Sequence, residues 1–319
     1  MRMFRLILAA GLVASTAGLA MAQSAGMGIT KRAYTSQAGA AIAKVVSQNT
    51  SIRMRTQTFG GSSAYVPAVN AGQLEFGLAN ELETTFAVAG TKIYKGRPMH
   101  DLRIVTVLTP FRVAIWVRDD SPIKKLSDLR GKRVPSGWAS QKIIGVLMNG
   151  YLANAGLSYD DVVKVPVPNV VAGANDFASG KSDAFFFVFG AGKVSETAAK
   201  VGKIRVLGIS SGSGAVERMR RHVPPAYALT VRPSKRNVGV NKPLDVMAYD
   251  YLVITGAKVS DSMVYSVAKT MHDKSGELAK AFPALRLFSP NRMAKKFKGL
   301  TYHPGAVKYY RELGVWPPK

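Results

Sequence analysis

A handful of short stretches carry side chains suited to holding a small molecule: Tyr34-Thr35-Ser36, Gly60-Gly61-Ser62-Ser63, Asn80, Ser136-Gly137-Trp138-Ala139-Ser140-Gln141 and Phe189-Gly190-Ala191. Each lies where a β-rich run gives way to a helical pattern. A hydroxyl or amide there can cap the helix. It can equally join the free helix N-terminal amides in binding an anion. For Tyr34, Thr35 and Ser36 both readings stand. Lys31 and Arg32 just before them fit either a carboxylate contact or a solvated surface pair. Gly60 and Gly61 let backbone approach a ligand closely, and Ser62 is a natural N-cap. Asn80 is either a cap or a ligand amide. Trp138, in a polar Gly-flanked turn, is expected to wall a cleft and stack on a planar solute. Gly61, Ser62, Ser63, Ser136, Ser140, Gln141, Phe189, Gly190 and Ala191 complete the expected ligand-binding set.

Catalytic arrangements are absent from this pattern. The four histidines, His100, His222, His272 and His303, form no metal-binding spacing, and there is no cysteine. No strand-to-helix nucleophile elbow or phosphate-binding loop occurs. The sequence therefore points to a binding protein rather than an enzyme, with no cofactor and no metal. His303 beside Pro304 is expected to cap the last helix, and Asp183 to serve a turn.

These turns must be held by alternating strands and helices. Residues 52–58 alternate as a strand, 62–70 read as a helix stopped by Gly72, and 75–79 form a short buried strand before a helix over 81–89. Two β-rich runs, 102–108 and 113–117, flank Thr109-Pro110-Phe111. A second series has strands near 132–135, 162–165, 182–189 and 204–209, with helices over 140–155, 170–179 and 193–200. Strand runs at 227–231 and 246–255, then helices near 260–274 and 305–313, close the chain. Such alternation indicates βαβ units and mostly parallel sheets. The reading is an α/β fold of two lobes, each a mostly parallel sheet flanked by helices, with a ligand cleft between them. Residues 23–111 and 225–319 form the discontinuous first lobe, and 112–224 the second.

The first residues, MRMFRLILAAGLVASTAGLAMAQ, have a basic start, an apolar stretch and a small-x-small site at Ala20-Met21-Ala22. That is a secretory signal peptide over 1–22, which puts the mature chain from Gln23 in the periplasm. The net charge is +25, but the basic residues are spread along the chain without a basic arm or finger. Nucleic acid is not expected as a partner. A field of this sign draws in small anions, and a monomer is expected.

Several segments together resemble the TAXI family, the extracytoplasmic solute receptors of TRAP-type transporters. They are Phe59–Ser62 with Asn70–Leu78, then Ile123–Val134 (IKKLSDLRGKRV), then Asp183–Gly190 (DAFFFVFG), and finally the ending Tyr302–Tyr310 (YHPGAVKYY). The resemblance covers the mature chain in order, and the HPGA…YY ending is its most specific part. It implies a type II periplasmic-binding fold that closes on its ligand. It also implies delivery to the membrane carrier subunits of a TRAP transporter, and a small anionic organic solute such as a dicarboxylate, an oxo acid or an acidic amino acid. An ABC importer or a sensor system is the alternative destination. Where the family opens with a Gly-rich turn, this chain reads Gly28–Ala40 with Thr35-Ser36-Gln37 at the turn.

Overall fold

The computed structural model describes residues 23–318. The signal-peptide reading of 1–22 lies outside the described residues. The chain starts with β1 (Ser24–Thr30) and α1 (Tyr34–Asn49), followed by β2 (Arg53–Phe59), α2 (Ser62–Asn70), β3 (Phe76–Asn80) and α3 (Glu81–Ala89). β1 lies between β2 and β3, parallel to both. α1 lies directly on it: a Cβ on Gly39 would sit 2.5 Å from Ile29 Cγ2, so only glycine allows this approach.

The two β-rich runs around Pro110 are one strand, β4 (Leu102–Arg118). Pro110 donates nothing to the ladder, and a register shift falls beside it where β4 meets β10 (Leu244–Gly256). β4 and β10 run antiparallel from one half of the molecule into the other. At one end β10 pairs with β3; at the other β4 pairs antiparallel with β7 (Ala184–Val188) and β8 (Ile204–Leu207). The outcome is one mixed eight-stranded sheet. The α/β fold is as read from the sequence, but the sheets are not mostly parallel. The long antiparallel pair replaces two separate sheets, because β4 does not break at Pro110.

The second half adds β5 (Arg133–Gly137) parallel to β6 (Val163–Val167), and four helices: α4 (Ile143–Asn154), α5 (Val170–Ala178), α6 (Gly192–Val201) and α7 (Ser213–His222). Asp183 holds β5 beside β7. Its carboxylate accepts from the Arg133 backbone N–H at 2.8 Å and pairs with the Arg133 guanidinium at 2.6 Å. This is the structural turn role expected of it.

One boundary needs correction. Residues 225–247 sit with the second half, not the first. β9 (Tyr227–Val231) pairs with the Leu244–Ala248 end of β10. Trp116 Nε1 donates to Val238 O at 2.9 Å, and Val206 N to Gly239 O at 2.9 Å. The chain returns to the first half only within β10, and then forms α8 (Asp261–Asp273), α9 (Ser275–Ala281) and α10 (Pro304–Glu312). His303 caps α10, its Nδ1 accepting from Gly305 N at 3.2 Å. Burial holds the imidazole pKa below its ordinary value.

Candidate functional site

The ends of β1, β2, β3 and β7 converge where β4 and β10 cross between the halves. They enclose a cavity of about 40 Å³. One ordered water takes up about 10–15 Å³ on this scale, so the space equals about three waters. The residues lining it that carry polar groups are Thr35, Ser62, Asn80, Gln141 and the tyrosines Tyr34, Tyr249 and Tyr251; no lysine or arginine among the described residues lines it. The rest is apolar and aromatic. Phe111 stacks on Tyr251 with centroids 4.0 Å apart and planes 12° off parallel, and Tyr34 meets Phe111 edge-on at 5.0 Å. Burial pushes the Tyr34 hydroxyl up to about 12, so it stays a neutral donor and acceptor.

Five helices start around this cavity, and they differ in one respect. Asn80 Oδ1 accepts from Glu83 N at 2.7 Å and Asn169 Oδ1 from Ala172 N at 3.0 Å, so α3 and α5 are capped by their own side chains. α1 starts after Ala33, α2 after Gly61 and α4 after Lys142, and none of the three has a side-chain cap among the described residues. Of the two readings open for Thr35 and Ser36, capping of α1 does not occur. Thr35 Oγ1 instead accepts from Thr30 N at 2.9 Å, tying the strand end to the helix. α1 and α2 thus bring uncapped amide ends, flanked by the Thr35 and Ser62 hydroxyls, to one buried space, while the Lys142 amide at the start of α4 is taken by Ser63 Oγ. Such ends attract negative charge.

Behind Ser62 and Ser63 lies Glu83, 1 % exposed. Its Oε1 accepts from Tyr94 Oη at 3.0 Å and from Ser63 Oγ at 3.4 Å, while Oε2 has no partner among the described residues. Burial raises its pKa to about 7. Protonation removes a charge from the interior.

The two halves touch through hydrogen bonds around the cavity. Lys142 N donates to Ser63 Oγ at 3.1 Å, Asn169 Nδ2 to Gly60 O at 3.1 Å, and Gly192 N to Gln37 Oε1 at 3.1 Å. Gly61 lies against the Ser140 backbone. Of the expected site residues, Tyr34, Thr35, Ser62, Asn80 and Gln141 line the cavity. Gly61, Ser63 and Ser140 form the seam between the halves instead. Ser36 lies on α1 away from the cavity, Ser136 is buried in β5, and Lys31 and Arg32 are exposed.

Trp138 requires correction: it is core of the second half and does not wall the cavity. β5 continues to Gly137, past the expected end at Pro135, and Gly137 and Trp138 take φ of +80° and +58°. That left-handed pair turns the indole inward, where it is 1 % exposed. Its Nε1 donates to Tyr159 Oη at 3.0 Å, and Tyr159 donates on to Pro135 O at 3.0 Å. Phe189, Gly190 and Ala191 also leave the cavity and line a separate groove. Sequence reasoning missed Phe111, Tyr249 and Tyr251. The signal was the alternation of Tyr249 and Tyr251 on a strand crossing the cleft.

The fold is that of the periplasmic binding proteins. By sequence the chain belongs to the NMT1-like family, whose profile matches residues 32–314. Among solved structures it is similar to the alkanesulfonate-binding protein SsuA of Xanthomonas axonopodis pv. citri bound to MOPS, with 17 % identity, 91 % of this chain and 90 % of that one covered, and a TM-score of 0.55. PhnD1 of Prochlorococcus marinus in complex with methylphosphonate shares 12 % identity over 92 % of this chain and 98 % of that one, with a TM-score of 0.56. A binding protein component of an ABC phosphonate transporter from Pseudomonas aeruginosa shares 11 % identity over 84 % and 80 %, with a TM-score of 0.55.

Proposed function

We propose that this chain is the solute-capturing receptor of an importer, exported to the periplasm, that closes two lobes over a small organic anion. The observation that carries the reading is the pair of uncapped helix ends, α1 and α2, opening on one buried cavity. Helix-end amides and hydroxyls replace a cation there. The head group sits against Thr35, Ser62 and Asn80, and its body lies on the Phe111 and Tyr251 rings. A single anionic head with a short apolar body suits this lining better than a dicarboxylate, whose second charge would face apolar walls. Sulfonate and phosphonate receptors of the same fold bind solutes of that kind. A sulfonate or phosphonate therefore joins the carboxylates as a candidate.

The lobes in this reading are 23–111 with about 249–318, and 112–248. Both crossings then fall at facing residues, because Phe111 pairs with Tyr249. The carrier is the ABC type, as for the phosphonate transporter component of similar fold. The TRAP reading keeps its own support in the Ile123–Val134 and Tyr302–Tyr310 motifs. A neighbouring gene for an ATPase or for a multi-span carrier separates the two.

The test of the ligand class is a calorimetric panel on mature protein: methanesulfonate, methylphosphonate, acetate and glutamate against neutral and cationic solutes of equal size. Saturable binding confined to anions supports the reading. Binding of neutral or cationic solutes alone overturns it.

A further inference from the structure

A second, larger space opens across β4 from the central cavity. Neighbouring residues of a strand face opposite sides; Phe111 and Val113 face the cavity, while Arg112 and Trp116 face a groove of about 500 Å³. The same alternation puts Val188 in the cavity and Phe189 in the groove. A space of this size is in the range of sites for organic ligands, about 300–1,000 Å³.

The groove's charge is one-sided. Arg112, Lys235, Arg236 and Arg286 line it, and no aspartate or glutamate does. None of these cations forms an ion pair among the described residues. Arg112 is half-buried, and its guanidinium lies 5.6 Å from the centroid of the Phe189 ring. Arg205 shows what the fold does with a comparable structural arginine. It donates to the backbone oxygens of Asp119, Ser121 and Ile123. Arg112 has no such acceptor among the described residues, and desolvation lowers its pKa. A partly buried cation without acceptors is costly unless a ligand supplies them. Trp116 and Phe189 are buried beneath the groove, and Pro283, Ala284 and Leu287 form its accessible apolar wall.

We propose that this groove is a second binding site, for an amphipathic organic anion whose sulfonate, phosphonate or carboxylate head meets Arg112, Lys235, Arg236 and Arg286 while its apolar body lies on Pro283, Ala284 and Leu287. A groove of about 500 Å³ admits a larger solute than the central cavity of about 40 Å³. The N-terminus of α6 opens on the same groove, its Gly192 N–H held at present by Gln37 Oε1.

The probe is 1-naphthalenesulfonate, titrated calorimetrically into mature protein, with neutral 1-naphthalenemethanol as control. The sulfonate is expected to bind at one site per chain. Binding should weaken about tenfold or more in Arg112→Gln, as for loss of a desolvated charge contact. It should also weaken in the double variant Lys235→Gln/Arg236→Gln, whose exposed positions leave folding intact. Asn80→Ala, in the central cavity, should keep it. No binding to wild type, equal binding of the neutral alcohol, or undiminished binding by the double variant would each overturn the proposal. So would loss of binding in Asn80→Ala alone, which would place the probe in the central cavity. If an acidic peptide occupies the groove while the sulfonate does not, the surface is a protein dock and the proposal fails.

Discussion

Gly61 and Ser140 meet backbone to backbone across the seam between the two halves: a Cβ added to Gly61 would lie 2.8 Å from the Ser140 carbonyl carbon. Gly61 is extended, with φ 176°, so alanine fits its backbone without strain. The obstruction lies wholly between the halves. Gly61→Ala is therefore expected to hold the lobes apart. Solute affinity should fall about tenfold or more, as when closure contacts are lost, while the melting temperature without solute stays near wild type. Small-angle scattering that shows the same compaction on adding solute in variant and wild type would refute this.

Trp138→Ala should act on stability. Truncating a fully buried tryptophan costs about 3–5 kcal/mol, and the indole also loses its bond to Tyr159. Urea unfolding measures the loss. The fraction that remains folded should bind solute as wild type does, since Trp138 does not line the cavity.

Glu83 makes stability depend on pH. Its folded pKa of about 7 lies above the ordinary 4.5, so the folded protein holds this proton more tightly than the unfolded chain. That contribution is complete below pH 4.5 and is lost as pH rises through 7, by about 3 kcal/mol for a shift of this size. Glu83→Gln keeps the acceptor for Tyr94 and Ser63 without the charge. Its melting temperature relative to wild type should rise between about pH 5 and about pH 8, the span that brackets this titration. Glu81, also raised by burial to about 7, is unchanged in the variant and cancels from that difference.

Asn80 serves two ends at once. Asn80→Ala removes the α3 cap, worth about 0.5–2 kcal/mol, and a polar group from the cavity wall. Stability and solute affinity should both fall. Asn80→Asp should restore the cap while repelling an anion, separating the two roles. Equal solute affinity in Asn80→Asp and wild type would show that no anionic head sits there.

The helix starts at Ser62, Glu81 and Val170 were legible because glycine stops and strand-to-helix changes of period mark them locally. The same local logic brought Tyr34, Thr35, Ser62, Asn80 and Gln141 to one place. It failed where pairing partners decide. Thr109-Pro110-Phe111 reads as a break, yet β10 holds β4 continuous across it: Pro110 pairs in register with Asp250, and the register shift falls beyond it, between Thr109 and Val107. Residues 225–247 gave no sign of their attachment to Trp116 and Val206, which is long-range. Trp138 was misplaced because its left-handed backbone, rare outside glycine, reverses the direction a turn residue would otherwise point.

Closure on an anion is the centre of this account, and a distance across the two halves tests it most directly. The chain has no cysteine, so Gln48→Cys with Lys164→Cys gives one exposed spin-label site on each half. Electron–electron distance measurement follows the pair as methanesulfonate, methylphosphonate or acetate is added, using an anion that calorimetry shows to be bound. The account requires the distance distribution to narrow and shift to shorter values with bound anion, and the shift to disappear in Gly61→Ala. A bound anion that leaves the distribution unchanged would contradict it.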